Sequence, residues 1–324
     1  MNPTIRPRLP ALFLGLALAA VPVLAQNFPE RPITFVVPFA AGSATDQIAR
    51  AIGQAVTNDT RQPVVIDNKA GASGFIASQQ VAKAAPDGYT VLITTNTTHA
   101  ANEHLFKKIP YDPVKDFAPL TGLGKGGQIM VVNPKMAAHS VADFIALAKK
   151  EPGKLSFGSG SSSSRMAGEL LQQMAGIKLL HVPYKSNPLA VTDLLGGQID
   201  MMITDTATGL PQVKAGKLRA LGMSSGRRSP LAPDVPTIAE AGVRGYEMGY
   251  WTAAYAPSGT PPAVVRRLNE ILVKAARSDS ARTSFYEPSG TELFTGTPEE
   301  LAKFQAAESQ KWAQIIKGAG IEPE

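Results

Sequence analysis

The chain has 324 residues, of which 44% are hydrophobic and 18% are charged, and its formal net charge is +6. This composition excludes a disordered protein, and the length predicts two structural units rather than one core. The absence of cysteine excludes a disulfide framework and a lipid-anchor cysteine, and the scattered basic pairs lack the interleaved aromatic residues of a nucleic-acid-binding surface.

The first 25 residues have the features of a secretory signal peptide. Arg6 and Arg8 precede an apolar segment, 12–23, which is followed by a small-residue cleavage site at Ala25. A membrane anchor is the alternative, but the apolar segment is short for a helix that spans a bilayer. We therefore expect export to the periplasm, with cleavage after Ala25. This cleavage would remove Arg6 and Arg8 and leave a mildly basic mature chain, and its positive charge favours acidic small molecules as ligands.

The stretch 33–50 predicts a strand, a tight loop and a helix. A β-branched apolar run breaks at Pro38, and Ile48, Ile52 and Val56 then recur at helical spacing. The loop follows the carboxyl end of the strand, where unpaired N–H groups at the start of the helix attract anions. The candidate ligand-binding residues of this loop are Phe39, Ala40, Ala41, Gly42, Ser43 and Asp46.

Strand and helix patterns alternate in the next part of the chain. We predict a strand at 63–67, a helix at 75–84 and a strand at 88–94, which is the pattern of a doubly wound parallel sheet. The polar run 95–99 ends the third strand, so it is expected to line the same cleft as the first loop, with Thr97 and Thr98 as candidate binding residues.

The segment 122–127 matches the spacing G-x-G-x-x-G, which is typical of dinucleotide-binding loops. Here a strand, 128–132, follows the glycines instead of a helix, so we reject a nucleotide site and interpret the run as a flexible hinge. The predicted boundaries are a first lobe of 26–125 plus 247–324 and a second lobe of 126–246. A second hinge is expected at 245–251.

The second lobe repeats the strand–loop–helix order of the first. A strand at 155–157 leads through a serine-rich run into a helix that ends at Gly176. A flexible linker is the alternative for such a run, but its position before an amphipathic helix favours a second anion-binding loop. Arg165 is either solvated or clamps a carboxylate. The candidate residues are Gly160, Ser161, Ser162, Ser163, Ser164 and Arg165.

Three further candidates follow or lie within later strands. Tyr184 and Asp205 come after the predicted strands 179–182 and 199–203, although Asp205 could equally cap a turn. Strands are also expected at 217–223 and 249–256. The last of these is expected to cross back to the first lobe and to place Tyr250 or Trp251 near the cleft, although Trp251 could equally belong to the core. A helix at 189–195 and two final helices, 262–277 and 298–317, complete the prediction.

No catalytic or metal-binding constellation is predicted. A hydrolase is the rival class, but no G-x-S-x-G elbow surrounds the serine run. The four histidines are His99, His104, His139 and His181, and their spacing does not indicate a zinc site. No cofactor is therefore expected.

Dispersed segments of the chain are similar to the Bug family, the extracytoplasmic solute receptors of tripartite tricarboxylate transporters. They include Val-Pro-Phe-Ala-Ala-Gly at 37–42 and Ala-Ala-Pro-Asp-Gly-Tyr-Thr at 84–90. Further matches occur at 29–33, 44–46, 111–117, 181–185, 193–198, 214–220, 234–237 and 256–261.

The resemblance implies a two-lobed, type II periplasmic-binding-protein-like α/β fold, with mixed, mostly parallel sheets, helices on both faces and two crossover strands. It implies a monomer that binds a small organic carboxylate, namely a dicarboxylate, an aromatic acid or an acidic amino acid, between the loops 39–43 and 160–164. The implied partners are integral membrane subunits of a tripartite tricarboxylate transporter. A sensor that feeds a membrane two-component system uses the same fold and stays an alternative.

The chain departs from the family pattern at three places. Gly42-Ser43 replaces a common Gly-Gly, and Ala70-Gly71 replaces Pro-Gly. Arg165 stands where a neutral residue or histidine is common. If Arg165 points into the cleft, a second carboxylate on the ligand is its natural partner.

Overall fold

One continuous sheet forms the centre of the computed structural model, which describes residues 28–324. The expected signal peptide, 1–25, lies outside the described residues. The strands are β1 (Ile33–Val37), β2 (Val64–Asn68), β3 (Thr90–Thr95), β4 (Phe117–Val132), β5 (Ser156–Ser159), β6 (Leu180–Pro183), β7 (Met201–Asp205), β8 (Arg219–Met223), β9 (Gly249–Pro257) and β10 (Glu292–Leu293). Their order is β2-β1-β3-β9-β4-β7-β5-β6, and β8 and β10 also pair with β4.

Helices connect most of these strands, as the alternating pattern predicts. They are α1 (Ala44–Thr60), α2 (Phe75–Ala82), α3 (Asn102–Leu105), α4 (Val141–Lys150), α5 (Ser162–Ala175), α6 (Asn187–Leu195), α7 (Thr206–Lys214), α8 (Pro262–Ala276), α9 (Asp279–Ala281), α10 (Glu287–Ser289) and α11 (Pro298–Gly318). The predicted apolar face of α1 is confirmed, because Ile48, Ile52 and Val56 are fully buried. No helix within 28–324 is both long and apolar enough to cross a membrane.

Pairing direction divides the sheet into two groups of strands. In the N-terminal strand group, β1 pairs in parallel with β2 and β3. The second group comes from the central part of the sequence and is called the central strand group, although it lies at one end of the sheet. In it, β5 pairs in parallel with β6 and β7. The long strand β4 pairs antiparallel with β9 in the first group and with β7 and β8 in the second. The mixed α/β fold is confirmed, although parallel pairing is confined to the outer strands because β4 and β9 occupy the middle.

The glycine-rich run 122–127 lies inside β4 and is not an irregular loop, and its role as a hinge stays a prediction. Most of these residues are paired with β9. A Cβ atom on Gly122 would lie 2.5 Å from the ring of Phe294, and one on Gly126 would lie 2.6 Å from the ring of Tyr250. The glycines are therefore needed because aromatic rings pack directly against the strand.

Apolar packing joins the two strand groups. One core cluster contains Val36 and Leu92 from the N-terminal group together with Phe157 and Ile203 from the central group. Strands β1 and β5 lead into α1 and α5 respectively, and the two loops before these helices approach each other. This arrangement produces the candidate site.

Candidate functional site

The start of α1 supplies one wall of the site. Ser43 is the N-cap, and its hydroxyl oxygen accepts a hydrogen bond from the N–H of Asp46 at 3.2 Å. The next two N–H groups, those of Ala44 and Thr45, belong to the first turn and have no acceptor within the helix. Together with the positive end of the helix dipole, these donors form a place where an anion can bind.

The start of α5 supplies the opposite wall. Ser161 caps this helix by accepting a hydrogen bond from the N–H of Ser164 at 3.2 Å. Strand β5 runs through Ser159 and α5 begins at Ser162, so the predicted serine loop is shorter than expected. A Cβ atom on Gly160 would lie 1.9 Å from the carbonyl carbon of Ser186, so only glycine fits there. The first turn of α5 again offers N–H groups without intrahelical acceptors.

The two helix starts face a common, partly open cavity of about 30 Å³, most of whose lining residues are buried. This volume holds about two water-sized groups. Six of the predicted candidates line it, and no lining residue in the described part of the chain is Lys, Arg or His. The lining residues are Phe39, Ser43, Ala44, Thr45, Thr95, Gln128, Gly160, Ser161, Ser163, Asn187, Asp205 and Tyr250.

A polar wall closes the cavity on the side of β4 and β7. Asp205 accepts hydrogen bonds from the side-chain amide of Asn187 at 2.9 Å and from the N–H of Thr208 at 2.8 Å, so it also caps α7. The side chain of Asn187 in turn accepts the N–H of Gly160 at 3.0 Å. Burial raises the pKa of Tyr250 well above its usual range, and the negative charge of Asp205 raises it further. The wall thus contains one carboxylate together with a neutral phenol and an amide, which can both donate and accept hydrogen bonds.

Two hydrogen bonds connect the start of α5 directly to the segment after β3. The side-chain amide of Asn96 lies 3.0 Å from the hydroxyl of Ser163, and the hydroxyl of Ser162 donates to Asn102 at 3.0 Å. All four side chains are buried. These contacts hold the N-terminal and central strand groups together at the cavity.

Asp46 positions the loop before α1 and does not line the cavity. Its carboxylate accepts the N–H of Gly42 at 2.9 Å and the amide of Asn68 at 3.0 Å, and it pairs with Arg50 at 3.0 Å. Asn68 also donates to the carbonyl of Phe39 at 3.0 Å. The carboxylate of Asp46 therefore holds the loop before α1 in place without facing the cavity.

Several other candidates lie near the cavity without lining it. Ala41 and Gly42 are exposed, and Ala40 is half-buried. Thr98 is buried between the hydroxyl of Thr94 and the ring of His99. The remaining candidates of this kind are Thr97, Ser162 and Ser164, all buried within the packing around the loops.

Three predicted side chains point to other partners. Arg165 forms an ion pair with Glu324 at 2.6 Å and does not line the cavity. The hydroxyl of Tyr184 donates to Asp193 at 2.8 Å. The indole N–H of Trp251 donates to Glu308 at 3.1 Å, on the opposite side of β9 from the cavity.

Six lining residues were not among the predicted candidates of the site, although Tyr250 was named as the alternative to Trp251. Ala44 and Thr45 could have been found as the first turn of α1. Gln128 is a polar residue at the start of an apolar run, which is a recognisable signal of an inward-facing polar group. Thr95 belongs to the polar run 95–99, which was expected to line the cleft, although it was not named as a binding residue. Asn187 gave no signal that separates it from ordinary loop residues.

A larger groove, of about 570 Å³, lies beside the same central strands. Tyr250 contributes to both the cavity and the groove. The groove lining combines aromatic and charged side chains, among them Lys125, Arg227, Trp251, Phe304, Glu308, Lys311 and Trp312. Within the described residues, no cluster of His, Asp or Glu could hold a metal ion.

The chain is similar to known proteins over almost its whole length. The family model described as tripartite tricarboxylate transporter family receptor matches residues 48–321. The protein BugT of Bordetella pertussis is 35% identical over 312 residues, which is 95% of each chain.

Solved structures show the same fold. R. palustris Rpa4515 with adipate has a TM-score of 0.89 and 35% identity, over 92% of this chain and 100% of that one. The periplasmic binding protein BugD has a TM-score of 0.88 and 32% identity, with the same coverage. MatC from Rhodopseudomonas palustris with bound malate has a TM-score of 0.85 and 32% identity, over 89% and 100% of the two chains.

These similarities confirm the predicted resemblance and the periplasmic-binding-protein fold. The matched family consists of solute-binding receptors and not of enzymes. The chain therefore belongs to the tripartite tricarboxylate transporter receptor family, the Bug family of periplasmic solute-binding receptors.

Proposed function

We propose that this receptor captures a small organic carboxylate in the periplasm and delivers it to the integral membrane subunits of a tripartite tricarboxylate transporter. The observation that carries the proposal is the convergence of two helix N-termini, those of α1 and α5, on one cavity. Backbone N–H groups and helix dipoles at both walls favour an anionic group between them.

The size of the cavity supports a carboxylate as the group held at this point. A volume of about 30 Å³ suits a group with two oxygen atoms and not a complete ligand. Binding of a whole molecule therefore requires the two walls to move apart and to close again. We propose that the first lobe, 26–125 plus 247–324, and the second lobe, 126–246, make this movement about β4 and the start of β9.

The ligands of related structures support the same class of molecule. Adipate and malate, named with two of the similar structures, are both small dicarboxylates. The absence of catalytic groups from the sequence prediction agrees with capture of a ligand that stays chemically unchanged. Export with cleavage after Ala25 and a monomeric state are parts of the same proposal.

A binding screen on the mature chain, 26–324, tests this function. Small carboxylates are added in a thermal-shift assay, followed by calorimetry on those that raise Tm. A ligand at about 100 times its Kd stabilises the native state by about 2.7 kcal/mol, which is a shift of several degrees. The uncharged amide of each carboxylate is the matched control, and it is expected to give no shift. Equal shifts with acid and amide would contradict the proposal.

The transport role is tested separately in cells. Deletion of the gene is expected to abolish uptake of the isotope-labelled ligand that the screen identifies. Loss of ligand-induced gene expression with uptake intact would instead support the alternative role, a sensor that feeds a membrane two-component system.

A further inference from the structure

The segment 318–324, which begins at the last residue of α11, is anchored beside the end of α3. The N–H of Glu324 donates to the carbonyl of Leu105 at 2.9 Å, and the N–H of Lys107 donates to the carbonyl of Glu324 at 2.8 Å. Ile321 packs against the apolar core cluster that joins the two strand groups. These contacts hold the backbone of the segment on the proposed first lobe, to which Leu105 and Lys107 belong.

Side chains of α5, in the proposed second lobe, reach the same segment at two points. Arg165 pairs with Glu324 at 2.6 Å near the start of the helix. The side-chain amide of Gln173 donates to the carbonyl of Gly318 near the end of the helix. The two positions are about 12 Å apart along the helix axis and lie on one face. The segment therefore contacts both ends of the helix whose start forms a wall of the cavity.

The pair with Glu324 compensates a charge that is poorly placed in α5. A cation near the start of a helix lies at the positive end of the helix dipole and is unfavourable there. The side chain of Arg165 is only 20% exposed, and its Nε atom is buried without a partner within residues 28–324. Separation from Glu324 would therefore leave this guanidinium without its compensating carboxylate.

We propose that the segment 318–324 is a clasp between the lobes, which holds the closed receptor and slows release of the ligand. The inference rests on the proposed function, because that function assigns opening and closing to the two lobes. Opening moves α5 away from Leu105 and Lys107, so it has to break the contacts of Arg165 and Gln173 or detach Glu324 from its anchor. Since none of these residues lines the cavity, the clasp should slow the release of all ligands by a similar factor.

Removal of both contacts tests the clasp. In the double variant Gln173→Ala/Glu324→Gln, the ligand is expected to dissociate about fivefold faster in stopped-flow kinetics, with a smaller change in the association rate constant. The first probes are adipate, malate, benzoate and glutamate, and the tightest binder among them is used. Contacts that stabilised only the fold would lower the urea midpoint and leave the dissociation rate unchanged, and that result would overturn the inference.

Glu151→Gln is the matched control for the ion pair. It breaks the pair of Glu151 with Lys154, whose charged atoms are 3.4 Å apart and which lies within the proposed second lobe. The side chains of Glu151 and Glu324 are equally exposed, at 57% each. The control is expected to release the probe at the wild-type rate, because its ion pair does not join the lobes.

A covalent link across the clasp is the converse test. The chain has no cysteine, so Gln173→Cys together with Gly318→Cys supplies the thiols, and a Cβ atom on Gly318 meets nothing within 4 Å. An ethylene-bridged bis-methanethiosulfonate joins the two thiols, and dithiothreitol releases them. A probe loaded before the link forms is expected to leave about tenfold more slowly than after reduction, because release requires opening. Equal release rates before and after reduction would contradict the clasp.

The outcomes separate this inference from the proposed function. If no carboxylate of the screen binds, the proposed function fails and the clasp fails with it. If carboxylates bind and neither the double variant nor the covalent link changes their release, the function stands and the clasp alone fails.

Discussion

The side-chain amide of Asn96 and the hydroxyl of Ser163 lie 3.0 Å apart and join the end of β3 to the first turn of α5. Both side chains are buried, and they belong to different strand groups. A hydrogen bond in this position exists only while the two walls of the cavity are close together. It therefore contributes to the closed form and not to the folding of either group alone.

Ser163→Ala is expected to weaken ligand binding about tenfold, because it leaves the buried amide of Asn96 without its partner. Calorimetry on Asn96→Ala, Ser163→Ala and the double variant is expected to give a coupling of about 1 kcal/mol in binding free energy. Ser164→Ala is the control: its hydroxyl donates to the carbonyl of Ile203 within the central strand group, so it should lower stability and leave binding unchanged. Additive effects of the two single variants would contradict the inter-group contact.

The ion pair between Arg165 and Glu324 is expected to have no role in ligand selection. The guanidinium lies outside the cavity lining, and the side chain of Glu324 is more than half exposed. Such a pair contributes at most about 1 kcal/mol to the free energy of unfolding, because solvent screens the two charges.

Arg165→Ala should therefore leave the ratio of affinities for adipate and hexanoate unchanged, as measured by calorimetry. Glu324→Gln removes the same ion pair from the other side and serves as the matched variant. A selective loss of diacid binding in Arg165→Ala alone would show that the arginine reaches the ligand.

The glycines of β4 are expected to be required for packing. Gly126→Ala places a Cβ atom 2.6 Å from the ring of Tyr250, so strand and ring must shift, at a cost of about 1–3 kcal/mol in the free energy of unfolding. Gly318→Ala at the end of α11 meets nothing within 4 Å and is the control, expected to be neutral or slightly stabilising. Urea unfolding measures both. An unchanged free energy of unfolding in Gly126→Ala would contradict the direct packing of Tyr250 against β4.

His99 is expected to make stability depend on pH. Burial lowers its pKa to about 3, and its ring stacks on Tyr255 with centroids 4.0 Å apart. Between the unfolded pKa, near 6.5, and this value the unfolded state binds a proton that the folded state does not, so stability falls as the pH falls. The loss attributable to this group between pH 7 and pH 5 is about 2 kcal/mol.

His99→Phe should reduce this pH dependence, because it removes the titrating group and keeps an aromatic ring in the stack. The free energy of unfolding is measured in urea at several pH values from 5 to 7. His139→Gln, an exposed histidine, is the control and should keep the wild-type slope. An unchanged slope in His99→Phe would place the pH dependence on other groups.

Most elements of the fold could be predicted because their signals are local. The apolar spacing of Ile48, Ile52 and Val56 and the β-branched run before Pro38 depend only on neighbouring residues. The packing requirement for glycine in β4 could not be predicted, because it arises from Phe294 and Tyr250, which are distant in sequence.

The site shows the same limit. Neighbouring residues of a strand face opposite sides, so either Tyr250 or Trp251 could face the cavity, and the sequence alone did not decide between them. Arg165 could not be assigned because its partner is the last residue of the chain. The two loops before α1 and α5 could be predicted, since each lies between an apolar strand pattern and a helical pattern.

A crystal structure of the mature receptor with its tightest-binding carboxylate tests the central claim most directly. We predict the carboxylate between the starts of α1 and α5, about 3 Å from N–H groups of both helices, with its covalent structure unchanged. A ligand found instead in the groove beside Lys125 and Trp251, or a chemically altered ligand between the helices, would contradict the account.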